Sequence, residues 1–147
     1  MYEDQVESAD EELKRADHLV YVSLKYTRTC DVMKNAIKRM ISAYDLAMAG
    51  FLESMRKNKK ISDLPASSKE RVALVKSLLG VSVRKYLVLY KLLKDVEKAE
   101  CTAVEEFRKN VTLRITKPKA LDIKVDDLNR YLGITKEFVA FIKQKAE

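Results

Sequence analysis

Residues 18–30 read HLVYVSLKYTRTC, and the fold turns on whether they form a strand and a turn or the interior of a helix. Val20 to Leu24 have the β-branched and aromatic character of a strand, and Thr27-Arg28-Thr29 the polarity of a turn. The flanking apolar residues argue otherwise. With about 100° per residue, Leu19, Val22, Tyr26, Cys30, Met33, Ile37, Met40, Tyr44, Met48, Phe51 and Met55 fall within about 80° of one helical wheel. A hairpin loop at Thr27-Arg28-Thr29 has no reason to keep that phase, so the pattern predicts one helix from near Asp10 to Met55. A helix of about 45 residues is roughly 68 Å long, against a radius of gyration near 15 Å for a compact domain of this length. Such a rod overhangs a globule, which leads to the expectation of an elongated homodimer. Val20, Tyr21 and Leu24 lie opposite the main stripe, make that portion apolar nearly all round, and are the expected dimer contact.

Composition narrows the function classes. The 147 residues fit one domain, with no run of 18 apolar residues. The first twenty residues are acidic and polar, so neither a membrane span nor a signal peptide is expected, and the expected location is cytoplasmic. Cys30 and Cys101 have no CxxC partner, which points to small buried hydrophobes rather than a metal knuckle or a disulfide framework. The 29 basic against 22 acidic residues leave a net charge of +7, which favours polyanionic partners.

Downstream, Ser67 and Glu70 have the spacing of a capping box, Pro65 precedes them and Gly80 follows Leu79, which predicts a second helix over 67–79. Ser82 is the expected cap of a third helix from Val83 to about Lys109, with Tyr86, Leu89, Leu93, Val96, Val104 and Phe107 on its apolar face. VTLRIT and LDIKV alternate apolar and polar residues around KPKA, the pattern of a small β-hairpin. The expected fold class is therefore mainly α. It is an elongated bundle of long antiparallel helices over 1–110, with a small C-terminal hairpin and short helices over 111–147 packed on it rather than forming an independent domain.

The last segment, VDDLNRYLGITKEFVAFIKQ, resembles the helix-turn-helix DNA-binding unit: Leu128, Leu132, Gly133, Ile134, Val139 and Ile142 occupy its apolar and turn-glycine positions. The resemblance implies that Thr135, Lys136 and Lys143 lie on or near a recognition helix. The plainer alternative is one helix ending at Gly133 and another capped by Thr135. Binding by charge alone offers a second route to DNA or RNA, through Lys25, Arg28 and Arg39 on one side of the first helix with Lys57 beyond them, Lys34, Lys38 and Arg56 on another, and the lysine face of the third helix, Lys85, Lys91, Lys94, Lys98 and Lys109. In overall organisation the chain resembles small all-helical proteins of archaea, and over residues 10–110 its long paired helices are similar in texture to the HEPN superfamily of helical bundles. Ribonucleases of that superfamily carry an Arg four to six residues before a His. Here Arg15 precedes His18 by three, so the resemblance implies a non-catalytic member.

No enzyme, metal or cofactor is expected. His18 lacks any Glu-x-x-His or His-x-x-His arrangement, and Glu97 with Glu100 reads as a solvated pair as readily as a metal-sharing one. Two function classes remain open: a nucleic-acid-associated helical protein, and a structural or protein–protein interaction bundle with no nucleic-acid ligand.

Overall fold

The structure, a computed structural model, describes residues 2–146. Helix α1 (Tyr2–His18) runs on through a π-helical turn (Leu19–Ser23) and a short α2 (Leu24–Tyr26), and there it stops. Helix α3 (Cys30–Lys57) starts after three intervening residues and packs back along α1. The expected single rod from Asp10 to Met55 is thus a helical hairpin, broken at the threonines. Thr27 leaves the helical region at φ −130°, ψ 88°. Thr29 is extended, and its Oγ1 accepts the Val32 N–H at 3.4 Å, capping α3 with Asp31 in the first turn, where a carboxylate suits the positive end of the helix dipole.

The π turn adds a residue to its repeat and changes which side chains face inward. Ala9, Ala16, Val20 and Leu24 are buried, whereas Val22 and Tyr26 of the expected stripe are 41% and 80% exposed. Small alanines at this seam let α1 approach α3 closely. From Cys30 onward the stripe holds, and Met33, Ile37, Met40, Tyr44, Met48 and Phe51 are all buried. The chain's own α1, α5 and α6 cover them. The overhang that called for a second chain therefore disappears. Val20 and Leu24, expected at a dimer contact, lie inside this core, and only Tyr21 of the three is exposed.

Helix α4 (Ser68–Leu79) begins as its capping box predicts, with Ser67 Oγ accepting the Glu70 N–H at 3.2 Å. Gly80 follows at φ 67°, a conformation that L side chains rarely adopt. A 3-10 turn (Gly80–Val83) then leads into α5 (Arg84–Lys98), where Ser82 donates to the Leu79 carbonyl instead of capping. Helix α5 buries Tyr86, Leu89, Leu93 and Val96 as expected but stops at Lys98, short of Lys109. Its expected last turns are instead strand β1 (Glu100–Val104), so Glu97 and Glu100 stand on different elements and Phe107 is exposed. Strands β2 (Thr112–Lys117) and β3 (Leu121–Lys124) form the expected hairpin, and β1 adds to it in the antiparallel order β1-β2-β3. Val111, Leu113, Ile115 and Ile123 turn inward, while Arg114 pairs across the outer face with Asp122 at 2.9 Å and holds that carboxyl below its usual range. The division at 110/111 falls inside this sheet, since β1 on one side pairs with β2 on the other.

Helix α6 (Val125–Ala146) is continuous, which corrects the helix-turn-helix expectation. Its buried residues Leu128, Tyr131, Leu132, Thr135, Phe138, Val139 and Ile142 keep helical spacing straight through Gly133. Thr135 is not a cap; it is fully buried, and its hydroxyl donates to the Tyr131 carbonyl at 2.8 Å, one turn back. Phe138 stacks on Tyr44 with centroids 4.5 Å apart, and Ser54 Oγ donates to the Ala146 carbonyl, so α6 and α3 run in the same direction. The Tyr44 hydroxyl donates to the Tyr86 carbonyl at 2.9 Å, and burial pushes its phenol well above the ordinary range. Burial, reinforced by a 2.6 Å hydrogen bond to Asp45, pushes the Tyr90 phenol up to about 12. Among the described residues no helix is long and apolar enough to cross a membrane.

Candidate nucleic-acid interface

The structure separates the basic residues singled out in the sequence into two sets. Lys136 reaches Asp17, and Lys143 reaches Asp10, each at 2.6 Å. The acids are seven residues apart on α1 and the lysines seven apart on antiparallel α6 (17 − 10 and 143 − 136), two helical turns in each case. Arg39 is likewise engaged, 3.2 Å from the Glu12 carboxylate across the α1–α3 seam. Exposed pairs of this kind add little stability, but they cancel the local field that would draw a polyanion. Thr135, being buried, presents nothing to a ligand. Four of the six expected contacts are therefore either ion-paired within the bundle or buried in it.

The remaining two, Lys25 and Arg28, open onto a cleft of about 340 Å³ where three parts of the chain meet. The π turn and α2 supply Tyr21 and Lys25, and the helix-breaking turn supplies Arg28. The loop between β1 and β2 supplies Lys109 and Asn110, and the β3–α6 junction supplies Lys124, Asp126 and Asn129. Local folding explains why these cations converge. Thr29 ends one helix and caps the next, which leaves Arg28 at the apex of the hairpin. The backbone N–H of Phe107 then donates to the Arg28 carbonyl at 2.6 Å, and the Cys30 N–H donates to Glu106 at 3.3 Å, so the loop carrying Lys109 is tied to that apex. Below it, the Cys30 thiol donates to the Thr112 carbonyl at 3.3 Å; burial pushes its ionisation upward, with the nearby Glu106 carboxylate adding to the shift.

The electrostatics of the cleft are one-sided. Lys25, Arg28, Lys109 and Lys124 line it against a single carboxylate, Asp126. Among the described residues none of the four takes part in a salt bridge, although eight such pairs occur elsewhere on the molecule. The N-terminus of α6 opens at this junction with Asp126 and Asp127 in its first turn, Asp127 accepting the Lys124 N–H at 2.9 Å, and Asn129 has its Oδ1 enclosed without a hydrogen-bond partner. Lys109 reads in the sequence as part of the basic face of a third helix and Lys124 was not singled out at all, being at a strand end; only the tertiary fold brings the two to Arg28.

A second groove, of about 550 Å³, lies between α4 and α5. Val72, Leu87 and the exposed Val88 give it an apolar floor, with Lys69, Lys76 and Lys91 among its basic rim residues. His18 is exposed on α1. Comparisons of the chain with protein families, curated proteins and solved structures give no match.

Proposed function

We propose that the protein binds nucleic acid without reading its sequence, through phosphate contacts in the cleft at the apex of the α1–α3 hairpin. The observation that carries this reading is the convergence of Lys25, Arg28, Lys109 and Lys124 on one cleft, clear of the ion pairs that occupy Arg39, Lys136 and Lys143. Ammonium and guanidinium groups at a concave surface neutralise successive phosphates and release their counterions, which gives affinity with a steep salt dependence. Side chains that read base edges are not required for it.

The salt dependence also counts the contacts. With the cleft's Lys25, Arg28, Lys109 and Lys124 engaged, log K against log salt has a slope of about −2.8 for a single strand, or a loss of about 50-fold between about 50 and about 200 mM. Had Arg39, Lys136 and Lys143 joined them, the slope would be about −4.9 and the loss about 900-fold. Fluorescence anisotropy with labelled oligonucleotides distinguishes the two. Arg28→Glu should abolish measurable binding, and Lys124→Gln should bring the slope to about −2.1. No binding at low salt, or binding that both substitutions leave untouched, removes the proposal.

A second reading, docking of an acidic protein segment, is favoured by the α4–α5 groove, where an apolar floor is ringed by lysines. It requires Val88→Asp to weaken capture of an acidic amphipathic peptide while oligonucleotide binding persists.

A further inference from the structure

Exposed aromatic rings are concentrated at one place on this molecule. Tyr21, Tyr26 and Phe107 are 52%, 80% and 76% exposed, whereas the other described tyrosines and phenylalanines are buried or partly so. One of the three lines the basic cleft, and the other two are close in the chain to residues that do. Tyr21 lines it directly, Tyr26 stands between Lys25 and Arg28 in the chain, and Phe107 is hydrogen-bonded through its backbone to Arg28 and precedes Lys109 by two residues.

Phe107 also has a backbone conformation that a bulky residue rarely takes, φ 67°, and Glu105 in the same loop is at φ 53°. Strain of this kind persists only where the surroundings hold it. Here the Arg28 carbonyl and the Cys30–Glu106 contact do so. The result is an apolar ring displayed to solvent in the loop that carries Lys109, where burial would ordinarily be favoured. Tyr21 is placed comparably, with the Lys136 ammonium 6.0 Å from its ring centroid.

Building on the nucleic-acid reading above, we infer that the ligand is single-stranded, its phosphates held by the cleft cations and its bases stacked on Phe107, Tyr21 and Tyr26. In a duplex the base faces are already stacked on each other, so rings in solvent have nothing to meet. An unpaired strand offers a π-face from every base, which is why aromatic platforms beside a basic groove bind single strands with little sequence preference. Phosphate contacts alone account for the cations, but they leave the strained, exposed Phe107 without a purpose.

The test compares labelled oligo(dT) and oligo(rU) with a blunt duplex of equal length by anisotropy, using the full chain. Inorganic polyphosphate is titrated against the wild type as a base-free competitor. The single strands should bind at least about tenfold more tightly than the duplex. Phe107→Ala should lower their affinity by about 5- to 150-fold, toward the duplex value, and Phe107→Trp should restore it. A single-stranded probe carrying 2-aminopurine should lose fluorescence on binding the wild type as its base stacks, and lose less with Phe107→Ala. If duplex and single strand bind alike, polyphosphate competes and Phe107→Ala changes neither, the stacking inference is overturned while the phosphate-binding reading stands. If no probe binds and polyphosphate has no effect, both fall. Self-association of the protein that Phe107→Ala abolishes, without any single-strand preference, would assign these rings to a protein contact and likewise overturn the inference.

Discussion

Replacing Gly133 with Ala tests the C-terminal architecture directly, because its sign differs between the two structures that segment could form. In the continuous α6, Gly133 has no positive φ, and a Cβ built on it meets nothing within 4 Å. Alanine there gains helix propensity worth about 0.8–1.0 kcal/mol over glycine and reduces the freedom of the unfolded chain, while neither filling nor crowding any contact. The expected outcome is a gain of about 0.5–1 kcal/mol, equivalent to about 2–3 °C in Tm for a chain of this size. Gly80→Ala is the opposing control: its Cβ also meets nothing, but φ is 67° with ψ −143°, so the same methyl should cost about 1–3 kcal/mol in strain. Urea denaturation followed by circular dichroism, with the slope m unchanged, measures both. A loss of stability in Gly133→Ala would refute the continuous helix, since it is what a left-handed turn at that residue produces.

Phe138→Ala should destabilise the fold by about 3–5 kcal/mol in the same assay, because the ring is fully buried and stacked on Tyr44. Alkaline stability should follow the buried phenols. A tyrosine ionises near about 10 in the unfolded chain, and Tyr90 is pushed up to about 12, so its contribution is intact below about 10 and is lost as pH rises through about 12. Tyr44 is shifted in the same direction, and Tyr90→Phe should make the decline above pH 10 shallower in urea titrations at stepped pH.

Much of the fold could be read from residues with a local mechanism. Ser67, Glu70 and Gly80 marked the ends of α4 through hydrogen bonding and backbone freedom, and the alternation around Lys117–Ala120 marked the hairpin. The α3 stripe was legible because its side chains are large and evenly spaced. The break at Thr27–Thr29 was hidden because Leu19, Val22 and Tyr26 share the phase of α3 by coincidence, and periodicity alone cannot tell a continued helix from one that restarts in register. The true seam of α1 runs through Ala9 and Ala16, residues too small to stand out on a hydrophobicity wheel. Strand β1 was missed for a related reason: ECTAV is short, follows a strong helical pattern and becomes a strand by pairing with β2. Lys25 and Arg28 were visible as charges, but the acids that neutralise Arg39, Lys136 and Lys143 lie 27, 119 and 133 residues away. Which cations remain for a ligand is therefore a property of the tertiary structure.

The staple between the Phe107 amide and the Arg28 carbonyl joins positions far apart in the sequence, and Lys124 comes from a third region. Neither half of the chain alone contains a cleft. Occupancy consequently reports completed folding: a ligand seated there recognises only the fully assembled molecule and stabilises it against global opening in proportion to its free concentration. Amide exchange in the deepest helices, not just around the apex, should slow when the cleft is filled.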